Sequence, residues 1–419
     1  MACTKISPLH LSSSHHIVSV LNMPSLFLVT LLSLFAAPTA LAGSSCIAFD
    51  TNWDLLAFGY NGKDYNVGTS DQWTSGKPTD ITASGRPPFD GTDTKCYLAQ
   101  FYNAVYVLGA DTANPANIYI YDATAKSWTM QTVTAGGFDP TSFEAILDHD
   151  TNFFYALSKG DLWSLDMQSL IAAQSSAIAW QDTGAAEIDT TNYDGVMAIA
   201  QNHIFFFGVP GVAAGSAPIY VIHFGFWQEG AQSFSSNFPD SHGQATSFFV
   251  DSGTNAGVQN EIAFIPDDGS ATYVINVDTN TTQTLAGPST VDANARYFAS
   301  ETALVQIASN GALIWLPYNP TDSGANTAAT WSPVTALNSV TNDSPGASAA
   351  SGGSSSGTSG SSTGKSGASN TAAGGSAATG SKSGSGASPS STGSSGATRN
   401  IVWGSGTVLG LIAAALSLL

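Results

Sequence analysis

The sequence predicts an all-β head folded as a six-bladed β-propeller, with room for a seventh blade, followed by a disordered stalk. Three observations carry this. Strand-like apolar runs, cut by Gly, Asn, Asp and Pro, fill the region from Ser44 to Leu337. Helical spacing is confined to one stretch, Leu165 to Ile178. Tryptophans recur about fifty residues apart at Trp73, Trp128, Trp180 and Trp227, with about twice that gap before Trp331, and Thr284-Leu285 stands where an indole is missing. A four-stranded unit repeating at about fifty residues is the mark of a propeller, in which each small sheet buries its faces on its neighbours. The competing architecture is one β-sandwich or two, in which the tryptophan spacing has no meaning.

In chain order, residues 1–42 read as a secretion signal, with Met23 as an alternative start. Pro24 to Ala37 is an apolar core too short to span a membrane comfortably, and Ala40-Leu41-Ala42 supplies the small residues of a cleavage site. Residues 43–337 form the head. Its second strands are expected at Leu55 to Phe58, Val105 to Leu108, Phe153 to Leu157, Ile204 to Phe207, Ile262 to Ile265 and Ala303 to Gln306. Removal of the signal takes Cys3 and leaves Cys46 and Cys96, an isolated pair that an oxidising compartment would bridge. They are one repeat apart and open the first two units, so the bridge is expected to pin the first blade to the second.

The clearest unit runs from Cys96 to Val133. Its strands are Cys96 to Phe101, Ala104 to Gly109, Asn117 to Asp122 and Ser127 to Met130. Val105-Tyr106-Val107-Leu108-Gly109, Ile118-Tyr119-Ile120-Tyr121-Asp122 and Ser127-Trp128-Thr129 resemble a kelch repeat, although Ala110 replaces the second glycine of that motif and most other units lack the pair. The resemblance implies blade architecture. It leaves function open, because kelch propellers serve as binding platforms and as oxidase domains.

Residues 338–398 read as a Ser/Gly-rich stalk. Between Asp343 and Thr398 there is no aromatic residue and no Val, Ile or Leu, so nothing offsets the entropy of ordering the backbone. Residues 399–419 end in an apolar run from Val408 to Leu419. Small residues at Ser394, Ser395 and Gly396, a polar spacer and this short tail match a glycosylphosphatidylinositol (GPI) attachment signal. The plan of signal, propeller, stalk and lipid anchor resembles fungal cell-surface proteins. The expected location is extracellular, at the cell surface, with the membrane engaged only through the anchor.

Charge narrows the partners. The chain carries 11 Lys and Arg against 30 Asp and Glu, a net charge of −19, while only 10% of its residues are charged. Such a surface repels nucleic acid and offers no basic patch to anionic lipid. The copper radical oxidases of kelch type require a cysteine–tyrosine cross-link and two histidines, whereas His149, His203, His223 and His242 are scattered over different units. Asp148-His149-Asp150 begins like a calcium loop, but Phe153 and Lys159 occupy positions that need Gly and Glu, which leaves a polar hairpin turn. No metal, cofactor or catalytic residue is expected.

Acidic residues precede the first strand of several units: Asp90 and Asp93, Asp139, Asp189 and Asp194, Asp240, and Asp292. In a propeller these connections share one face. Asp90, Asp139, Asp194, Asp240 and Asp292 are therefore the candidate ligand-binding carboxylates, against their ordinary role as turn residues. Asn280-Thr281-Thr282 is an N-glycosylation acceptor, and Asn342-Asp343-Ser344 a weaker one because Pro345 follows. The reading favours a monomeric surface module that binds carbohydrate or cell-wall polymer. An extracellular carbohydrate-active enzyme using loop carboxylates is the alternative, and a coat protein a third reading.

Overall fold

The computed structural model describes residues 45–148, 150–250 and 259–341. Among them are six four-stranded antiparallel sheets, each built from consecutive stretches of chain. The first holds Cys46–Phe49, Leu55–Tyr60, Lys63–Gly68 and Thr79–Asp80, and the second Lys95–Ala99, Ala104–Leu108, Ile118–Asp122 and Ser127–Gln131. The third holds Glu144–Asp148, Phe153–Ser158, Asp161–Asp166 and Gln181–Ala185, and the fourth Met197–Ala200, His203–Phe206, Ile219–Val221 and Phe226–Trp227. Gly243–Ser247, Glu261–Pro266, Ala271–Asn276 and Thr281–Ala286 form the fifth; Arg296–Ala299, Ala303–Ile307, Leu313–Pro317 and Ser332–Pro333 the sixth. The first strand of each sheet lies beside the first strands of both neighbours, and Cys46–Phe49 lies beside Arg296–Ala299. The ring is closed. The protein is a six-bladed β-propeller.

Strand alternation explains the architecture. In the first blade Cys46, Ala48, Leu56 and Phe58 pack toward the second blade, while Ile47, Phe49, Leu55 and Ala57 pack toward the sixth. Successive side chains point to opposite faces of a strand, and both faces here are buried, so the inner strands read as continuous apolar runs. Every hydrophobic cluster is one seam between adjacent blades.

The tryptophans occupy equivalent places. Trp73 lies in the sixth–first seam, Trp128 in the first–second, Trp180 in the second–third, Trp227 in the third–fourth and Trp331 in the fifth–sixth. In the remaining seam Phe207, Phe238 and Phe264 pack with ring centroids 5.4–5.7 Å apart. On the fifth blade Thr284 pairs with Tyr273 and faces this seam, whereas Leu285 belongs to the next one. Trp73 is itself outside a strand, following the 3-10 turn Ser70–Gln72, with its indole donating to Gly68 O at 2.8 Å.

Among the described residues each blade keeps its own four strands. The ring closes instead where residues past the sixth blade cross the first. Ala336 N donates to Trp73 O at 2.9 Å, Thr335 Oγ1 donates to Thr74 O at 2.7 Å, and Val334, Ala336 and Leu337 are buried in the seam. Asn338–Thr341 adds one helical turn whose Val340 packs on the same cluster, so packing runs past Leu337. The bridge Cys46–Cys96, with Cα atoms 5.8 Å apart, joins the inner strands of the first two blades. The helical spacing at Leu165 to Ile178 does not produce a helix. The third strand of the blade ends at Asp166, and Gln168, at φ +53°, starts a run of turns. Residues 1–42, the stalk from Asn342 onward and the GPI signal with Ser394, Ser395 and Gly396 lie outside the described residues, as does His149.

Candidate functional site

Inner strands that run the same way along the ring axis set their first residues around one end of it. Here those positions hold Lys95, Glu144 and Arg296, with Gln244 second in its strand. Together they border an axial cavity of about 130 Å³, beside a second space of about 300 Å³ lined by Ser45, Thr94, Asn294, Ser309 and their neighbours. Arg296 lines both.

The polar groups form one chain of bonds around the mouth. Lys95 pairs with Glu144 on the third blade and, at 3.3 Å, with Asp93 just ahead of its own strand. It also donates to Phe143 O at 3.1 Å and lies 5.3 Å from the Phe143 ring centroid. Asp93 in turn pairs with Arg296 of the sixth blade, reaching past the first blade. Arg296 Nη1 donates to Gln244 Oε1 of the fifth blade at 2.9 Å. Four blades are thereby tied together by two cations, two carboxylates and an amide. Burial alone would raise the Asp93 carboxyl, but Lys95 and Arg296 outweigh it and hold the group below its ordinary range. Burial alone would lower the Arg296 guanidinium; Asp93 and Glu144 turn the shift upward. Beneath them Tyr97 donates to Ala145 O at 3.2 Å, and burial followed by the fields of Glu144 and Asp93 pushes its phenol well above 10.

The opposite end is aromatic. Phe249 and Phe298, both lining the cavity, stack at 6.2 Å; Trp53 lies 5.5 Å from Phe249, and Phe49 lies 6.0 Å from Phe298. At this end too Gln259, whose backbone O accepts from Gln201 N just past the fourth blade's inner strand, is 5% exposed, and its buried Oε1 has no hydrogen-bond partner among the described residues. The cavity therefore has a charge-balanced polar rim, an unsatisfied amide oxygen in its wall and rings at its inner end. That combination suits a neutral ligand with several hydroxyls. The cations are already neutralised, so an anion gains little, and buried polar groups favour a partner that completes their bonds.

No family model matches this chain, and no curated protein is detectably similar to it. The kelch resemblance thus rests on the residues of the second unit alone, and the site has to be judged by its geometry.

The loop carboxylates are placed as follows. Asp90 Oδ1 accepts from Thr112 N at 2.9 Å, Asp139 pairs with Lys159 at 3.2 Å, and Asp292 Oδ2 accepts from Ser309 N at 2.6 Å. Each thus ties the loop ahead of an inner strand to the next hairpin of the same blade. Asp189 caps its own turn through Thr191 N. Asp240 is exposed, and Asp194, with 91% of its side chain exposed, stands 3.6 Å from His242, which also pairs with Asp267 at 2.8 Å. Of the acidic residues that the sequence singles out, Asp93 is the one drawn into the rim network. Lys95, Glu144, Gln244 and Arg296 belong to no motif that marks them in the sequence. Their signal is positional: in a chain with 11 cationic residues, two open inner strands. Asn280 is exposed in the turn between Ala271–Asn276 and Thr281–Ala286, and Asn342 lies outside the described residues.

Proposed function

We propose that the chain is a secreted, GPI-anchored cell-surface propeller that binds carbohydrate or another cell-wall component at the axial rim. The observation that carries this is the rim itself: Asp93, Lys95, Glu144 and Arg296 cancel one another's charge around a cavity whose Gln259 Oε1 has no hydrogen-bond partner among the described residues. Paired ions held in place by their neighbours present directional donors and acceptors without net charge, which matches sugar hydroxyls. Export and anchoring are supported by the cleavage pattern at Ala40-Leu41-Ala42 and the apolar C-terminal run. Asn280, exposed in a hairpin turn, is the proposed site of N-linked sugar.

The alternative of a carbohydrate-active enzyme has one feature in its favour, two carboxylates, Asp93 and Glu144, bonded to one lysine. A glycosidase pair needs a proton donor beside an ionised carboxylate, and Asp93, shifted downward, suits only the second role. Binding is the better reading. Purified full chain applied to a glycan array should retain a defined set of neutral glycans without releasing sugar. Sugar release would favour the enzyme, and no retention on any glycan would reject the reading for that of a coat protein.

A further inference from the structure

Two histidines twenty residues apart in sequence meet on the fourth blade. His203 opens the second strand, and His223 lies in the 3-10 turn Ile222–Phe224 that ends the third. Their ring centroids are 6.1 Å apart with the planes at 88°. Both sit on a fixed backbone. The hairpin leading into His203 turns through Gln201 and Asn202, both at positive φ (48° and 58°), as a two-residue turn matched to strand twist requires. Ile222 N donates to Asn202 O at 3.1 Å, which locks the turn carrying His223 to that hairpin.

The protonation of His203 is set by a bond. Its Nδ1 lies 2.6 Å from Gln201 O. A carbonyl oxygen can only accept, so Nδ1 carries the proton and Nε2 the lone pair. An imidazole whose other nitrogen donates to a backbone carbonyl is the arrangement that orients a metal ligand. Metal–nitrogen bonds of about 2.0–2.1 Å bring two ligating rings to within roughly 6 Å of each other. His223 is exposed, so its rotamer is free to close the remaining distance.

We propose that His203 and His223 form a two-imidazole site for a divalent transition-metal ion, with Cu²⁺ bound more tightly than Zn²⁺. The order follows from the general affinity of nitrogen ligands for these ions. Among the described residues no group of three or more His, Cys, Asp or Glu is placed to hold a metal, so water completes the coordination shell. The ion would be exchangeable, with open positions facing solvent. Phe224, 77% exposed, and Phe226, 47% exposed, flank the site, and the Phe224 ring lies 6.0 Å from His223. The site lies in the turns at the ends of strands away from the charged rim, so it stands apart from the carbohydrate reading.

The test is Cu²⁺ titration of the full chain carrying His10→Ala, His15→Ala and His16→Ala, followed by calorimetry and electron paramagnetic resonance. One Cu²⁺ with nitrogen hyperfine structure from two imidazoles is expected. His203→Ala and His223→Gln should each weaken binding at least about tenfold and remove one nitrogen from the spectrum, with the near-ultraviolet circular dichroism unchanged. His242→Ala should bind as the parent does. Absence of stoichiometric binding, parent-like binding by either His203→Ala or His223→Gln, or loss of binding in His242→Ala would overturn the proposal.

Discussion

At the scale of single residues, the fold depends on a few polar groups buried with their partners. Asp64, with a side chain 0% exposed, accepts from Gly59 N and from Arg86 through both Nε (2.9 Å) and Nη2 (2.7 Å). Arg86 comes from the connection to the second blade and also covers the Phe89 ring at 4.8 Å. Removing one partner of a buried pair strands the other charge, which typically costs about 3–5 kcal/mol. Arg86→Ala should therefore lower the unfolding free energy by that order in urea titrations. A loss under about 1 kcal/mol would mean that water reaches Asp64. Neither partner was singled out from sequence, because a lone Asp and a lone Arg twenty-two positions apart carry no local signature. Cys46 and Cys96 were legible, since they lie one repeat apart and each opens a unit.

At the scale of elements, the strands were legible and the loops were not. All six second strands fall within a residue or two of expectation, because a strand buried on both faces must be apolar throughout. The outer strands are short, two residues in Thr79–Asp80, Phe226–Trp227 and Ser332–Pro333, and a tryptophan in or ahead of each marked its place where strand pattern could not. At Thr284-Leu285 the fourth strand stands where expected, with Thr284 facing the fourth–fifth seam and Leu285 the next, because one residue of register decides which seam a side chain enters. The loop aspartates stood out as turn residues, and Asp90, Asp139 and Asp292 do bond within their own blades; what sequence could not supply was the reach of Asp93 across the ring. Gly109, the glycine of the kelch-like strand, has φ +69°, and a Cβ there would meet Asp93 O at 2.5 Å. Left-handed backbone costs a non-glycine residue about 1–2 kcal/mol before any clash. Gly109→Ala is expected to destabilise by at least that much and to weaken glycan binding by displacing Asp93. Unchanged thermal unfolding would show that the loop moves freely.

At the scale of the whole molecule, the ring is held by seams, by the Cys46–Cys96 bridge and by the rim ions, of which Asp93 and Arg296 join the second blade to the sixth past the first. The rim makes stability depend on pH in a definite direction. Asp93 has a folded pKa below its unfolded value, so its contribution is complete above the usual carboxylate pKa of about 3.9 and is lost as pH falls through the lower folded value. Urea midpoints measured from pH 6 to pH 2 should drop below about pH 4, and Asp93→Asn should flatten that drop. The rim was hidden in the sequence because its members come from Asp93, Glu144, Gln244 and Arg296, spread over four blades, and only closure of the ring brings them together. The most direct measurement is calorimetric titration of an array-selected neutral glycan into the full chain and into its Gln244→Ala and Arg296→Gln variants. Each variant is predicted to bind at least about tenfold more weakly while melting as a folded propeller; unchanged affinity in both would contradict a ligand site at the axial rim.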